Sequence, residues 1–189
     1  MTKIIFRRCD GGRKGESCKR LIEKACESFF GCGVKKVENL CNDRRERLMR
    51  EWRSKNLNDP MQEYKLPISF GQGIEEITPP FELSEPETIE IYILEGEKSQ
   101  VSERAAMDIR QVNDKLTGWE LHAYLDVMDY SDNNLRWTGF GESIEEVTYH
   151  ELLHACGDIK HDGILRHNEI GVKCVKKCLG ENLGNPKRY

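Results

Sequence analysis

Apolar residues recur every three or four positions in the first third of the chain, which is the spacing of one helix face. This spacing predicts a helix over residues 16–30, ended by Gly31 and Gly33, and a second helix over residues 37–55. Residues 56–86 hold five of the six prolines and show no sustained period. We expect this stretch to form a connector with at most one short strand.

The pattern changes near residue 88, where apolar and polar residues begin to alternate as they do in a strand. Ile89, Ile91 and Ile93 predict a first strand with one face in a core. Residues 119–127 alternate in the same way and predict a second strand, which is expected to form a hairpin with residues 135–140. Between the two strands, helical spacing predicts a helix over residues 102–116, with Ser102 as its cap.

A last helix is predicted over residues 144–156. Ser143, followed three positions later by Glu146, has the spacing of a capping box, and Gly157 is expected to end the helix. The resulting order of strand, helix, strand, strand and helix predicts an α+β fold.

The chain of 189 residues is long enough for one well-buried core with a small appendage. We expect a basic, cysteine-rich helical extension over residues 1–60, a proline-rich connector over 61–87 and a main domain over 88–189. Residues 1–60 carry 16 Lys and Arg against 9 Asp and Glu, whereas residues 61–189 carry 13 against 24. Clustered basic residues can bind nucleic acid by neutralising phosphates, and a solvated helical surface is the alternative interpretation.

Eight cysteines are many for a chain of this length, and five of them lie in residues 1–60. No two have the CxxC spacing of zinc knuckles, so disulfides, metal binding and free buried thiols all remain open. Cys174 and Cys178 are expected to pack, or to bridge to Cys156 or to the N-terminal cysteines. No apolar run approaches the length of a membrane-spanning helix, and the first residues lack a secretory signal. These features predict an intracellular, cytoplasmic protein that does not bind membranes.

The predicted last helix contains His150, Glu151 and His154 in an HExxH pattern. Residues four apart on a helix lie one turn apart on the same face, so the two imidazoles can bind one Zn²⁺ side by side. Glu151 is placed to accept a proton from a zinc-activated water. The pattern also arises by chance, in which case both histidines would be ordinary half-buried helix residues.

With this motif, residues 88–180 resemble the zincin family of zinc metallopeptidases. The resemblance implies a small twisted mixed sheet over the HExxH helix, with an edge strand that pairs with an extended peptide substrate. Residues 135–140 would be that edge strand, and Trp137 and Phe140 would either line its subsites or pack the hairpin.

The resemblance also implies a third zinc ligand after the helix. Metzincins have HExxHxxGxxH; Gly157 matches, but Lys160 stands at the third histidine and His161 follows it. SprT-like and WLM peptidases and YbeY-type hydrolases also place a histidine soon after the helix, which favours His161. Gluzincins draw a glutamate from a following helix, which favours Glu169. His167 and Asp158 are further alternatives, and all five methionines precede the motif, which disfavours a true metzincin with its methionine turn.

We therefore predict a zinc-dependent endopeptidase in which His150, His154 and His161 bind one Zn²⁺ and Glu151 is the general base. Its partner would be a protein or peptide substrate. One alternative is a nucleic-acid-associated metal hydrolase, either a SprT-like protease or a YbeY-type nuclease, that uses the basic first third. The other is a cysteine-stapled binding module without enzymatic activity.

Overall fold

The computed structural model describes residues 2–55, 65–66, 75–76, 82–97, 105–112, 118–131, 134–137, 143–157 and 178. The helices in these ranges are α1 (Gly12–Ser28), a π-helical turn (Phe29–Gly33), α2 (Val34–Lys55), a 3₁₀ turn (Leu125–Val127) and α3 (Ile144–Ala155). The strands are β1 (Lys3–Cys9), β2 (Lys65–Leu66), β3 (Glu75–Glu76), β4 (Thr88–Leu94), β5 (Met107–Gln111), β6 (Gly118–Tyr124), β7 (Met128–Ser131) and β8 (Asn134–Trp137). None of these helices combines the length and the apolarity needed to cross a membrane.

Four of the strands form a mixed sheet in the order β1, β4, β6, β5. β1 and β6 pair in parallel with β4, and β5 pairs antiparallel with the outer side of β6. The alternation predicted for the first strand is confirmed, because Ile89, Ile91 and Ile93 are fully buried. The α+β class predicted from the sequence is therefore confirmed.

One hydrophobic core joins this sheet to α1 and α3. α1 contacts α3, β1 and β4, and α3 contacts β5. The isoleucines of β4 and Leu121 of β6 belong to the same buried cluster as Ile22 of α1 and Leu152 of α3. Alternate positions such as Tyr92 and His122 lie on the opposite face of the sheet and remain partly exposed.

The first third of the chain contributes to this core, whereas the sequence predicted a separate extension. Phe6 of β1 is in register with Ile91 of β4, and Ala25 and Phe29 are fully buried in the common cluster. Among the described residues, those before and after residue 60 therefore share one hydrophobic core.

The helix predicted over residues 102–116 is wrong for its central part, where Met107–Gln111 forms β5. The segment carries two patterns, because Met107 and Ile109 also alternate with Asp108 and Arg110. Pairing with β6 selects the strand, because it forms a ladder of backbone hydrogen bonds. Helix propensity is a weaker preference, which tertiary pairing overrides here.

The predicted hairpin is also different, because β8 pairs with β7 and not with β6. The second predicted strand ends at Tyr124, and the 3₁₀ turn follows directly. Ala123, Tyr124 and Leu125 are all buried, so the alternation that would continue the strand is lost at this point. The turn redirects the chain into the separate β7–β8 sheet.

The glycines expected to end the first helix do not break it, since the chain continues through the π-helical turn into α2. The Val34 amide bonds the Phe29 carbonyl, which keeps the backbone hydrogen-bonded through the turn. A Cβ at Gly33 would lie 3.0 Å from Cε1 of Tyr149 and 3.2 Å from Cδ2 of Phe29. Gly33 therefore allows the turn to approach α3 closely.

Replacing Gly33 by alanine is expected to lower the free energy of unfolding by about 1–3 kcal/mol, because Tyr149 and Phe29 are fully buried and have no room to shift. Gly31 of the same turn is the matched control, since no described atom lies within 4 Å of a Cβ built there. The Gly31→Ala variant is expected to be neutral or up to about 1 kcal/mol more stable. Urea unfolding of both variants measures the difference, and equal stabilities would refute the close approach.

The structure joins Cys32 of the π-helical turn to Cys178 in a disulfide. Cys178 thus bridges to an N-terminal cysteine, which is one of the arrangements expected from the sequence. Cys18, Cys26 and Cys156 are buried free thiols, and burial raises the pKa of each to about 12. These three thiols stay protonated near neutral pH and act as core residues.

Candidate metal centre

The helix that carries the HExxH pattern begins at the predicted capping box. Ser143 Oγ accepts the Glu146 amide at 3.1 Å, and Glu146 Oε2 accepts the Ser143 amide at 3.1 Å. The helix ends after Ala155, where Gly157 adopts a φ of 99°. Both predicted ends of α3 are therefore confirmed to within one residue.

Tyr149 fixes the rotation of α3 at the position just before the motif. Its side chain is fully buried, and its ring meets the Phe29 ring edge to face at a centroid distance of 5.1 Å. Its hydroxyl hydrogen-bonds Ser28 at the end of α1. With Leu152 and Leu153 also fully buried, the helix has one orientation, and His150, Glu151 and His154 lie half-buried at its accessible boundary.

The two histidines point their Nε2 atoms at one another. The Nε2 atoms of His150 and His154 are 3.3 Å apart, and the ring centroids are 5.0 Å apart with the rings inclined by 72°. Two nitrogens that each lie about 2.0–2.1 Å from one tetrahedral zinc ion are separated by about 3.3–3.4 Å. The pair therefore fits two adjacent corners of a zinc coordination sphere.

The Glu151 carboxylate faces strand β5, where it accepts a hydrogen bond from the Ile109 amide. Burial and the nearby Asp108 carboxylate raise the pKa of Glu151 to about 8, and the Ile109 amide offsets part of that shift. One turn earlier, Thr148 Oγ1 donates to the Ile144 carbonyl at 2.7 Å and lies 3.6 Å from Met107 Sδ. The contacts with Ile109 and Met107 hold α3 against β5.

Among the described strands, β5 lies at the edge of the sheet beside Glu151. The Val112 amide bonds the Gly118 carbonyl at 3.0 Å, and the Tyr124 amide bonds the Ala106 carbonyl at 2.9 Å. Because antiparallel pairing alternates along a strand, the backbone groups of residues 107, 109 and 111 point away from β6. The described edge strand nearest to Glu151 is therefore β5, whereas the sequence predicted residues 135–140.

The β7–β8 hairpin leads into the start of α3, since Arg136 forms an isolated bridge with Ser143. The Trp137 side chain and Phe140 lie outside the described residues, so their predicted place in subsites stays a prediction.

His161, Glu169, His167 and Asp158, the candidates for the third ligand, lie outside the described residues. Within the described ranges, no group of three or more His, Cys, Asp or Glu side chains converges on one point. The structure thus brings together His150, His154 and Glu151, and His161 stays a prediction as the third ligand.

Two residues that position the motif, Ile109 through its amide and Tyr149 through its contacts with α1, were not predicted from the sequence. The alternation of apolar and polar residues over 107–110 could have predicted a strand there. In a strand at the edge of the sheet, the Ile109 amide can point outward and reach Glu151. No local pattern distinguishes Tyr149 from other apolar helix positions, since its role depends on α1.

Comparison of the chain with protein-family models, curated proteins and solved structures found no match.

Proposed function

We propose that this protein is a zinc-dependent endopeptidase with a zincin-like arrangement of its HExxH helix and edge strand. The separation of 3.3 Å between the Nε2 atoms of His150 and His154 carries the proposal, because it matches two ligands of one tetrahedral zinc. A catalytic zinc needs a third protein ligand, and we assign that role to His161 on the basis of its spacing from His154.

Glu151 is the general base in this proposal. Bound zinc would supply Lewis acidity, which polarises the peptide carbonyl and lowers the pKa of water. The Glu151 carboxylate accepts a proton from the attacking water and then gives it to the leaving amine. The Ile109 amide orients this carboxylate, and the charge of a zinc ion would favour its ionised form over the neutral form favoured by burial.

The edge of β5 that faces away from β6 is the proposed substrate site. An extended peptide can add to this edge as a further strand and bond the outward backbone groups of Met107 and Gln111. Ile109 lies between them and contacts Glu151, so the pairing would bring a peptide bond to the general base. A substrate held mainly through its backbone is recognised by its extended conformation.

Metal removal tests the proposal. Treatment with a chelator is expected to abolish cleavage of an unstructured protein substrate, and about one equivalent of Zn²⁺ is expected to restore it, because Glu151 alone does not polarise the carbonyl. Circular dichroism before and after treatment serves as the control for folding. Cleavage by a folded protein that contains no metal would exclude the proposed mechanism.

A further inference from the structure

A cleft on the N-terminal half of α1, remote in sequence from the HExxH motif, has the features of an anion-binding site. It has a volume of about 280 Å³ and is lined by Arg13, Glu16, Ser17, Arg20 and Tyr130. This volume lies near the lower limit of small-molecule sites, which begin at about 300 Å³. The cleft therefore suits a small ligand.

Two arginines give the cleft its charge. Arg13, Ser17 and Arg20 stand at positions i, i+4 and i+7 of α1, so they follow one face of the helix. Among the described residues, neither guanidinium lies within ion-pair distance of a carboxylate. α1 also has no acidic residue in its first turn, so no side chain of that turn offsets the positive end of the helix dipole.

Glu16 is the one acidic group among the described residues of the lining. Its Oε1 is 3.7 Å from the Cys9 thiol of β1, and neither arginine pairs with it. Its carboxylate nevertheless lowers the positive potential of the cleft, so its removal is expected to favour an anion.

The hydroxyl groups of the cleft form an ordered chain. Arg20 Nη2 donates to Ser17 Oγ at 3.3 Å, and Ser17 Oγ donates to the Tyr130 hydroxyl at 3.4 Å. Ser17 is only 9% exposed and forms the floor. Within the described part of the chain, the Tyr130 hydroxyl donates to no group, so its proton is available to a ligand.

We propose that this cleft binds a phosphomonoester. The three terminal oxygens of a monoester can accept from Arg13, Arg20 and Tyr130 together, so each of these donors has its own acceptor. A carboxylate or a phosphodiester has only two terminal oxygens and leaves one of the three donors without an acceptor. The proposal is independent of zinc, because the cleft is built from α1 and β7.

Isothermal titration calorimetry of the full chain with phenyl phosphate tests the proposal. Arg13→Gln and Arg20→Gln are each expected to weaken binding by at least about tenfold, since each removes a charge-assisted donor. Arg47→Gln removes the same charge from an exposed position of α2 and is expected to leave the affinity unchanged. Glu16→Gln is expected to tighten binding, and His154→Ala to leave it unchanged, which separates this site from the metal centre.

Dimethyl phosphate, benzoate and a single-stranded oligonucleotide identify the class of ligand. We expect each to bind at least about tenfold more weakly than phenyl phosphate, because each phosphodiester or carboxylate group in them offers two terminal oxygens to the three donors of the cleft. No binding of phenyl phosphate, an equal affinity for the diester or the oligonucleotide, or equal affinities of the Arg13→Gln and Arg47→Gln variants would overturn the proposal.

Discussion

Replacing Glu151 by glutamine is expected to lower the rate of peptide hydrolysis by a factor of about 10² to 10⁴, the usual contribution of a general base. Glutamine keeps the size of the side chain but cannot take a proton from water. The fold is expected to be preserved, because burial already disfavours the ionised form of Glu151 and a neutral amide removes that cost. Initial rates on an unstructured protein substrate measure the effect, and zinc content is expected to stay unchanged.

Glu145→Gln is the matched control for this variant. Glu145 lies on the same helix and is only 5% exposed, and burial raises the pKa of its carboxyl as it does for Glu151. It stands in the first turn of α3, away from the histidines, so its replacement is expected to leave the hydrolysis rate nearly unchanged. Full activity of Glu151→Gln, or an equal loss in both variants, would remove Glu151 from the mechanism.

Replacing His154 by alanine is expected to weaken zinc binding by more than about 100-fold, which exceeds the effect of losing a residue that only supports a ligand. One of the two imidazoles that face each other at 3.3 Å is then absent, and His150 alone does not define the site. Hydrolysis is expected to be lost with the metal. Zinc content, measured by mass spectrometry after dialysis, reports the loss.

His122→Ala controls for the removal of an imidazole. His122 lies on the opposite face of the sheet, where its Nε2 is 3.1 Å from Glu120 Oε2 and its ring is 5.0 Å from that of Tyr92. Its replacement is expected to leave zinc content unchanged. Zinc that survives in His154→Ala and disappears in a multiple Cys→Ser variant would place the metal on cysteines.

The parts of the fold that could be predicted are those in which local pattern and tertiary contacts agree. The alternation of Ile89, Ile91 and Ile93 matches a strand with one face in the core, and β4 is that strand. The capping box and Gly157 bound α3, because the hydrogen bonds of a cap involve only residues close in sequence. The relative placement of His150 and His154 followed from helix geometry for the same reason.

The remaining parts depend on partners distant in sequence. β5 has a helical spacing of apolar residues, yet it pairs with β6, and β1 pairs with β4 across more than 80 residues. β1 is an edge strand and pairs on one side only, so the end of the strand tolerates exposed polar residues. Because Arg7, Arg8 and Cys9 are exposed, the sequence there resembles a polar loop. The hydrogen bond between Ile109 and Glu151 could not be foreseen once residues 102–116 were expected to be helical.

X-ray absorption spectroscopy at the zinc edge, on protein purified without added metal and then given about one equivalent of Zn²⁺, identifies the atoms that bind the metal. We expect nitrogen or oxygen ligands at about 2.0–2.1 Å, with the scattering of at least two imidazoles. A shell of sulfur ligands at about 2.3 Å, or no retained zinc, would contradict a centre built on His150 and His154.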